Sequence, residues 1–305
     1  MIVLTTPTGD IGGQLLRLLL DRAPDHGEAL RVVVRDPARL PGDVRERVDV
    51  VVGSHGDADV LDRAFSGADA VFWCVPPDPS TPDLESAFAG FTRPAVDALR
   101  AHGVGHVVGV SALGRGTAVA DSAGFVTASL RMDDVLAGSG AAYRALANPS
   151  FMDNLLRQVA SIRDAGVFTD TAIPDRRAPT AATRDIAAAA ATLLLDRSWT
   201  GVGEVPVLGP EDLSQEELAA TVSDVLGTPV RYERRSLDDL AASMRGFGAG
   251  EAFATGMVEM MRAKDEGLDA GVARTPETSS PTTFRQWCTE VLLPAVRGAD
   301  GAVAA

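Results

Sequence analysis

Short apolar runs rich in β-branched residues alternate with longer stretches of helical periodicity through the first half of the chain. The apolar runs predict six strands, at residues 2–5, 31–34, 48–52, 70–75, 106–110 and 142–147. The stretches that place apolar residues on one helical face are 11–22, 85–102 and 124–137. Strands that are apolar along their whole length and joined by helices form parallel sheets covered on both faces. The pattern therefore predicts an α/β fold with a doubly wound parallel sheet.

The alternation becomes less regular in the second half of the chain. The helices predicted there cover 186–195, 218–226 and 283–296, and the short strands cover 205–208 and 230–232. These pieces indicate a smaller C-terminal α/β lobe that is interleaved with the first half. We therefore predict a first domain over residues 1–150, a smaller lobe over 151–297 and a disordered tail over 298–305.

Composition and charge narrow the range of partners. Among 305 residues, 28 Lys and Arg face 42 Asp and Glu, which gives a formal net charge of −14. A nucleic-acid-binding surface requires the opposite sign, and excess acid disfavours anionic membranes. We expect a cytoplasmic protein with reduced thiols, because its two cysteines are far apart in sequence. No group of histidine, cysteine and carboxylate residues has metal-ligand spacing, so we predict no metal site.

A glycine-containing turn joins the first strand to the first helix. Its residues Thr6-Pro7-Thr8-Gly9-Asp10-Ile11-Gly12 follow the pattern Gly-x-x-Gly-x-x-Gly, with Thr6 in place of the first glycine. Such a turn lets a pyrophosphate approach free backbone amides at a helix N-terminus. We therefore predict that Thr6, Thr8, Gly9, Asp10, Ile11 and Gly12 bind a dinucleotide, and that residues 1–150 form a Rossmann-like domain. The alternative is a plain strand–helix turn whose glycines serve close packing.

The residue at the end of the second strand discriminates between the two nicotinamide cofactors. An acidic residue there suits the ribose hydroxyls of NAD, whereas this chain has Arg35, followed closely by Arg39. A guanidinium suits a 2′-phosphate by charge and by bidentate geometry, so we predict NADPH as the cofactor. Asp36 is adjacent and leaves a ribose hydroxyl contact open, and a solvated surface arginine is the alternative role for Arg35.

Taken together, these motifs resemble the NmrA-like branch of the atypical short-chain dehydrogenases/reductases over nearly the whole chain. The segments that carry the resemblance are 6–12, 34–37, 53–61, 65–72, 110–114, 136–140, 148–154, 185–187 and 208–211. Their order and spacing, rather than any single segment, make the resemblance specific.

The resemblance implies further cofactor contacts at the ends of other strands. Val75, Pro76 and Pro77 are expected over the adenosine ribose and pyrophosphate. Ser111 and Ala112 are expected near the nicotinamide ribose. The residues expected to flank the nicotinamide ring are Asn148, Pro149 and Phe151.

The chain departs from the wider family at the catalytic dyad. Short-chain reductases usually carry Tyr-x-x-x-Lys on the helix after the fifth strand, with the tyrosine as general acid. The corresponding positions hold Phe125 and Ser129, and no realignment restores the pair because Lys264 is the only lysine. The remaining candidates for catalytic hydrogen bonds are Ser111, Ser129 and Asn154.

These observations favour an NAD(P)H-dependent oxidoreductase. We predict an NADPH-dependent reductase of a small apolar quinone, enone or carbonyl compound, acting as a monomer or homodimer. The alternatives are a non-catalytic, NADP-binding redox-sensing regulator and a non-redox enzyme, such as a cyclase, lyase or isomerase. A helical stripe containing Phe253, Met257, Met260 and Met261 is expected to be either core or a mobile cover over the substrate.

Overall fold

The computed structural model describes residues 1–76 and 78–298. Its strands are β1 (Ile2–Thr5), β2 (Leu30–Val34), β3 (Asp49–Val52), β4 (Ala70–Trp73), β5 (His106–Ala112), β6 (Ala142–Asn148), β7 (Ser150–Phe151), β8 (Val167–Asp170), β9 (Ala178–Ala181), β10 (Val202–Pro206), β11 (Asp212–Leu213) and β12 (Arg231–Arg234). Its α-helices are α1 (Asp10–Arg22), α2 (Gly42–Arg45), α3 (Ala58–Phe65), α4 (Phe91–His102), α5 (Phe125–Ala137), α6 (Val159–Ala165), α7 (Thr183–Leu195), α8 (Gln215–Leu226), α9 (Leu237–Gly246), α10 (Glu251–Asp265), α11 (Phe284–Trp287) and α12 (Leu293–Arg297).

The largest sheet has seven strands in the order β10-β6-β5-β4-β1-β2-β3. Strand β1 pairs in parallel with both β2 and β4, β2 pairs in parallel with β3, and β4 pairs in parallel with β5. The strand order reverses at β1, where the chain crosses to β4 after β3. In an open α/β sheet, the crevice beside such a reversal is where ligands bind. The predicted doubly wound, Rossmann-like fold is confirmed.

The seventh strand differs from the sequence prediction. Residues 205–208 were expected to be a strand of the smaller lobe, whereas β10 lies at 202–206 and occupies the edge of the largest sheet. Its side chains are exposed or half-buried along its whole length. A strand without a buried face shows no regular alternation of apolar and polar residues. Its sequence therefore does not indicate which sheet it joins.

The chain divides into two compact units that exchange segments. Unit 1 contains Met1–Ala112, Val126–Ala147 and Ile186–Val205, and unit 2 contains Leu113–Phe125, Asn148–Asp185 and the chain from Pro206 onward. The predicted boundary at residue 150 therefore differs from this division in two segments. Residues 113–125 belong to unit 2, and residues 186–205 belong to unit 1. Of the predicted tail, residues 299–305 lie outside the described part of the chain.

Each unit has its own core. In unit 1 the strands β1 and β4 are buried throughout, and Trp73 is anchored by its Nε1–H, which donates to Thr92 Oγ1 at 3.1 Å. The core of unit 2 gathers large side chains from its helices and from the short parallel pair β8–β12, including Met152, Ile162, Phe168, Leu218, Val222, Phe284 and Trp287. Burying each of these side chains contributes about 1.5–3 kcal/mol to the free energy of folding. This burial stabilises the two-stranded and three-stranded sheets of unit 2.

Candidate functional site

The turn between β1 and α1 has an unusual backbone. Thr6 has a φ of +52°, and it is the only non-glycine residue with positive φ among residues 1–76 and 78–298. This left-handed conformation costs an L-residue about 1–2 kcal/mol, so the turn holds a β-branched residue where glycine is the default. At the other end of the turn, a Cβ added to Gly12 would lie 2.1 Å from the carbonyl oxygen of Thr6. Gly12 is therefore required for the helix to start this close to the strand.

The N-terminus of α1 is suited to an anionic group. Gly9 is the N-cap, and within the described residues no side chain caps the amides of the first turn. Gly9 and Asp10 are exposed, while Ile11 and Gly12 are buried against the strand. Uncapped amides and the helix dipole favour a negative charge at this point, so the turn fits a dinucleotide pyrophosphate.

A buried threonine that was not predicted holds the ends of β1 and β4 together. Thr5 Oγ1 donates to the Phe72 carbonyl at 3.0 Å and accepts from the Cys74 N–H at 3.1 Å. This bridge joins the C-terminal ends of β1 and β4, the neighbouring strands at which the strand order reverses. Burial raises the pKa of the Cys74 thiol to about 11, and the nearby Thr6 side chain offsets part of this rise. The thiol is therefore protonated and unreactive at neutral pH.

Two exposed arginines follow β2, as predicted. Arg35 directly follows the last residue of β2, and Arg39 ends a short 3₁₀ turn. Asp36 caps this turn, because its Oδ1 accepts the Ala38 N–H at 2.9 Å. The carboxylate is thereby engaged locally, and the exposed guanidinium of Arg35 remains the predicted contact for a 2′-phosphate. The positive charge of Arg35 also acts on His55, whose pKa it lowers.

His55 follows β3 and is held by Cys74 and by two aromatic rings. Its Nε2 lies 3.0 Å from the Cys74 carbonyl oxygen, and its ring packs edge-on against Phe91 and Trp73. Burial, with a smaller contribution from Arg35, lowers the pKa of His55 to about 4. The imidazole is therefore neutral at physiological pH.

Two of the predicted catalytic hydroxyls lie side by side in unit 1. Ser111 near the end of β5 and Ser129 on α5 are both buried, and their Oγ atoms are 3.4 Å apart. Ser111 Oγ also donates to Asp133 Oδ2 at 2.5 Å, and Tyr143 OH donates to Asp133 Oδ1 at 2.6 Å. Asp133 and Tyr143 were not among the predicted site residues, although both are buried in this cluster.

The other predicted contacts lie on two different units. Val75, Pro76 and Ala112 follow or end strands of the largest sheet in unit 1, and Pro77 lies outside the described residues. In unit 2, Asn148 and Pro149 are buried and Phe151 is half-buried in β7, which pairs in parallel with β9. These positions remain predicted cofactor contacts.

The third catalytic candidate, Asn154, is exposed in unit 2. It lies in a 3₁₀ segment, Met152–Gln158, directly after the predicted nicotinamide-flanking turn. Its neighbour Asp153 accepts the N–H of Thr183 at 2.9 Å and so caps the start of α7. Asp185, in the first turn of that helix, accepts hydrogen bonds from Thr282 N and Oγ1.

The residues at the usual dyad positions have other roles here. Phe125 is buried and packs edge-to-face on Phe253, with ring centroids 4.9 Å apart. In the same unit, a Cβ added to Gly124 would lie 2.0 Å from the carbonyl oxygen of Gly256, so the start of α5 approaches α10 very closely. The methionines of α10 are half-buried, and its buried face consists of Ala254, Gly256 and Ala263.

The described residues contain neither a membrane-spanning helix nor a metal-binding cluster. No helix in residues 1–76 and 78–298 is long and apolar enough to cross a bilayer. In the same part of the chain, no group of three or more histidine, cysteine or carboxylate residues could hold a metal ion.

Comparisons with known proteins agree with this geometry. The sequence model of a family described as NAD(P)H-binding matches residues 7–197. The chain is 32% identical over 298 residues to (4-alkanoyl-5-oxo-2,5-dihydrofuran-3-yl)methyl phosphate reductase of Streptomyces griseus, covering 95% of this chain and 97% of that one. It is 29% identical to an NAD(P)H azoreductase of Xenophilus azovorans, covering 90% and 91%. It is 25% identical to quinone oxidoreductase 2 of Escherichia coli, covering 89% of both chains.

The fold also resembles that of a solved structure. Triphenylmethane reductase of a Citrobacter species, solved with NADP(H), superposes with a TM-score of 0.77 at 20% sequence identity. The superposition covers 98% of this chain and all of the other.

Proposed function

The chain belongs to the NAD(P)H-binding family, and from this premise we propose that it is a reductase of the NmrA-like type that acts on a conjugated, electron-poor acceptor. It is an NAD(P)H-dependent oxidoreductase. The acceptor class that we propose is a small apolar quinone or enone rather than a simple ketone.

One observation carries this choice. Where related reductases hold a tyrosine and a lysine, this chain has Phe125, which packs on Phe253, and Ser129, which lies beside Ser111. A general acid typically contributes about 10²–10⁴-fold to a rate, and a simple ketone needs it because the alkoxide that forms is strongly basic. A quinone or an enone delocalises the incoming electron pair, so its reduction needs much less help from an acid.

The reaction can be written without a protein acid. Bound NADPH would supply a hydride, and with it two electrons, to an oxygen of a quinone or to the β carbon of an enone. The acceptor becomes a hydroquinone anion or an enolate, and water provides the proton that completes the product. The residues proposed to hold the cofactor are the amides at Gly9–Gly12 for the pyrophosphate, Arg35 and Arg39 for the 2′-phosphate, and Phe151 for the nicotinamide ring.

The relatives' names support this acceptor class. A 4-alkanoyl-5-oxo-2,5-dihydrofuran has a ring double bond conjugated to two carbonyl groups. Hydride addition at C3 of such a ring gives an enolate shared by both carbonyls. A quinone and an azo group are likewise conjugated acceptors. None of these three forms a localised alkoxide on reduction, which matches a site without the tyrosine–lysine dyad.

A panel of acceptors tests the proposal. NADPH oxidation is measured with menadione, with a 2-acyl butenolide, with cyclohexenone and with cyclohexanone, each at matched concentrations. We expect menadione and the acyl butenolide to react at least about 100-fold faster than cyclohexanone, since only the ketone loses the general-acid contribution.

Two outcomes would contradict the proposal. Faster turnover of cyclohexanone than of menadione would mean that the site contains an acid. Tight NADPH binding without oxidation by any acceptor would instead favour a redox-sensing regulator or a non-redox enzyme. Stereospecifically deuterated NADPH is the control, because a primary isotope effect on one face only identifies direct hydride transfer.

A further inference from the structure

A buried carboxylate links three elements of unit 1. Asp133 on α5 is only 2% exposed, and both of its oxygens accept hydrogen bonds. Ser111 of β5 donates to Oδ2 at 2.5 Å, and Tyr143 of β6 donates to Oδ1 at 2.6 Å. Bonds of this length from hydroxyl to carboxylate belong to the strong, charge-assisted class. The proposed reaction makes no use of this carboxylate.

Local sequence explains why these groups meet. Gly109 and Ser111 are two residues apart on β5 and share one face of the sheet. A Cβ at Gly109 would lie 2.3 Å from the hydroxyl of Tyr143, so only glycine lets that hydroxyl cross β5 to reach Asp133. Ser129 and Asp133 are four residues apart on α5 and share one helix face.

We propose that Asp133 is a positioning residue that makes Ser111 a hydrogen-bond acceptor toward the nicotinamide half of the bound cofactor. A hydroxyl has one proton and two lone pairs, whereas a carboxylate can only accept. Since Ser111 gives its proton to Asp133, the remaining lone pairs of Ser111 can only accept. The contact with Ser129 at 3.4 Å then has Ser129 as its donor.

This assignment rests on the proposed function and changes the role of one predicted residue. Ser111 was a candidate for polarising a substrate carbonyl, which requires a donor. An acceptor is suited instead to a ribose hydroxyl or a carboxamide N–H, and both are groups of the cofactor. Since Ser129 directs its single proton to Ser111, neither serine hydroxyl is left to donate to a substrate carbonyl. Ser111 therefore orients the cofactor and supplies no proton to the substrate.

Tyr143 has a supporting role in this arrangement. Its bond to Oδ1 fixes the rotation of the carboxylate, so that Oδ2 faces Ser111. Removing the tyrosine hydroxyl lets the carboxylate rotate, and the orientation of the Ser111 hydroxyl is then no longer determined.

Double-mutant cycles on NADPH binding test the inference, because they separate positioning from structural support. The dissociation constant is measured by fluorescence titration, without any acceptor, for Ser111→Ala, Asp133→Asn and the double variant. We expect Asp133→Asn to raise the dissociation constant roughly 5–10-fold in the wild-type background. In the Ser111→Ala background we expect a change below about twofold, because the group being positioned is absent.

A second cycle covers the case in which Asp133→Asn does not fold. Tyr143→Phe with Ser111→Ala is measured in the same way, and thermal unfolding is recorded for every variant. We expect Tyr143→Phe to weaken NADPH binding about threefold when Ser111 is present and not when it is absent.

Equal losses in both backgrounds would overturn the inference, since they would assign Asp133 and Tyr143 a purely structural role. An unchanged dissociation constant in Asp133→Asn would overturn it as well. The proposed function fails by different results, which are absent NADPH binding or absent turnover of menadione in the wild-type protein.

Discussion

The two glycines of the β1–α1 turn provide a matched pair of substitutions. Gly12→Ala would place a Cβ 2.1 Å from the carbonyl oxygen of Thr6, whereas Gly9→Ala would place one 3.5 Å from the same atom. The second distance is an ordinary contact, and the backbone of Gly9, with φ −87° and ψ 172°, is open to alanine. One substitution should therefore damage the fold, and the other should affect only what binds at the surface of the turn.

The magnitudes follow from the two geometries. Relieving the Gly12 clash requires a backbone shift of more than about 1 Å, and overpacking of this kind costs about 1–3 kcal/mol. We take about 3 kcal/mol, because the blocking atom is backbone, which corresponds to a fall in Tm of about 5 °C for a chain of this length. For Gly9→Ala, weaker capping and lower unfolded-state entropy offset each other, so we expect a Tm within about 2 °C of the wild type.

For cofactor binding we expect the opposite order. Gly12→Ala is the more harmful substitution for stability, whereas Gly9→Ala is the more harmful one for NADPH binding. The Gly9 Cβ would occupy exposed space at the N-terminus of α1, where the pyrophosphate is proposed to approach. We expect the NADPH dissociation constant of the Gly9→Ala variant to rise at least about tenfold, which is a loss of about 1.4 kcal/mol in binding free energy. Differential scanning fluorimetry and fluorescence titration measure the two quantities. A wild-type Tm for Gly12→Ala, or a wild-type NADPH affinity for Gly9→Ala, would refute this account of the turn.

Three further predictions concern other parts of unit 1. Arg35→Ala should weaken NADPH binding by about 1.5–3 kcal/mol and leave NADH binding unchanged, with Arg45→Ala as the exposed control; equal losses for both nucleotides would contradict a 2′-phosphate contact. The pKa of His55 is lowered to about 4 from 6.5, so the folded state loses roughly 3 kcal/mol of stability as pH falls from about 6.5 to 4. His55→Gln should flatten the dependence of Tm on pH in that window, and an unchanged slope would refute the assignment. Gly109→Ala should lower the Tm by several degrees, because its Cβ displaces the Tyr143 hydroxyl; an unchanged Tm would contradict this contact.

The elements of the fold that could be predicted are those whose buried residues form a recognisable apolar pattern within one continuous segment. Strands β1 and β4 are buried at every position, and their apolar runs are continuous. The exchange of residues 113–125 into unit 2 has no such signal. It depends on Gly124 approaching Gly256 and on Phe125 meeting Phe253, contacts between segments more than a hundred residues apart.

The same distinction holds for the candidate site. The turn at Gly9–Gly12 and the arginine after β2 were predictable, because each is a local requirement for binding a charged group at a strand end. The cluster around Asp133 was not, since its members come from three separate elements. The one signal in the sequence was Gly109, because a glycine within a buried strand often marks a close approach by another group.

Thr6 shows how the turn tolerates a departure from the glycine pattern. Its left-handed backbone costs about 1–2 kcal/mol. Glycine would avoid the strain, but the greater entropy of its unfolded chain would cost about 0.4–1 kcal/mol. The two residues therefore differ in stability by only about 1 kcal/mol at this position. A threonine here is compatible with the folded turn, and its effect on function must be sought in cofactor affinity, where Thr6→Gly can be compared directly with the wild type.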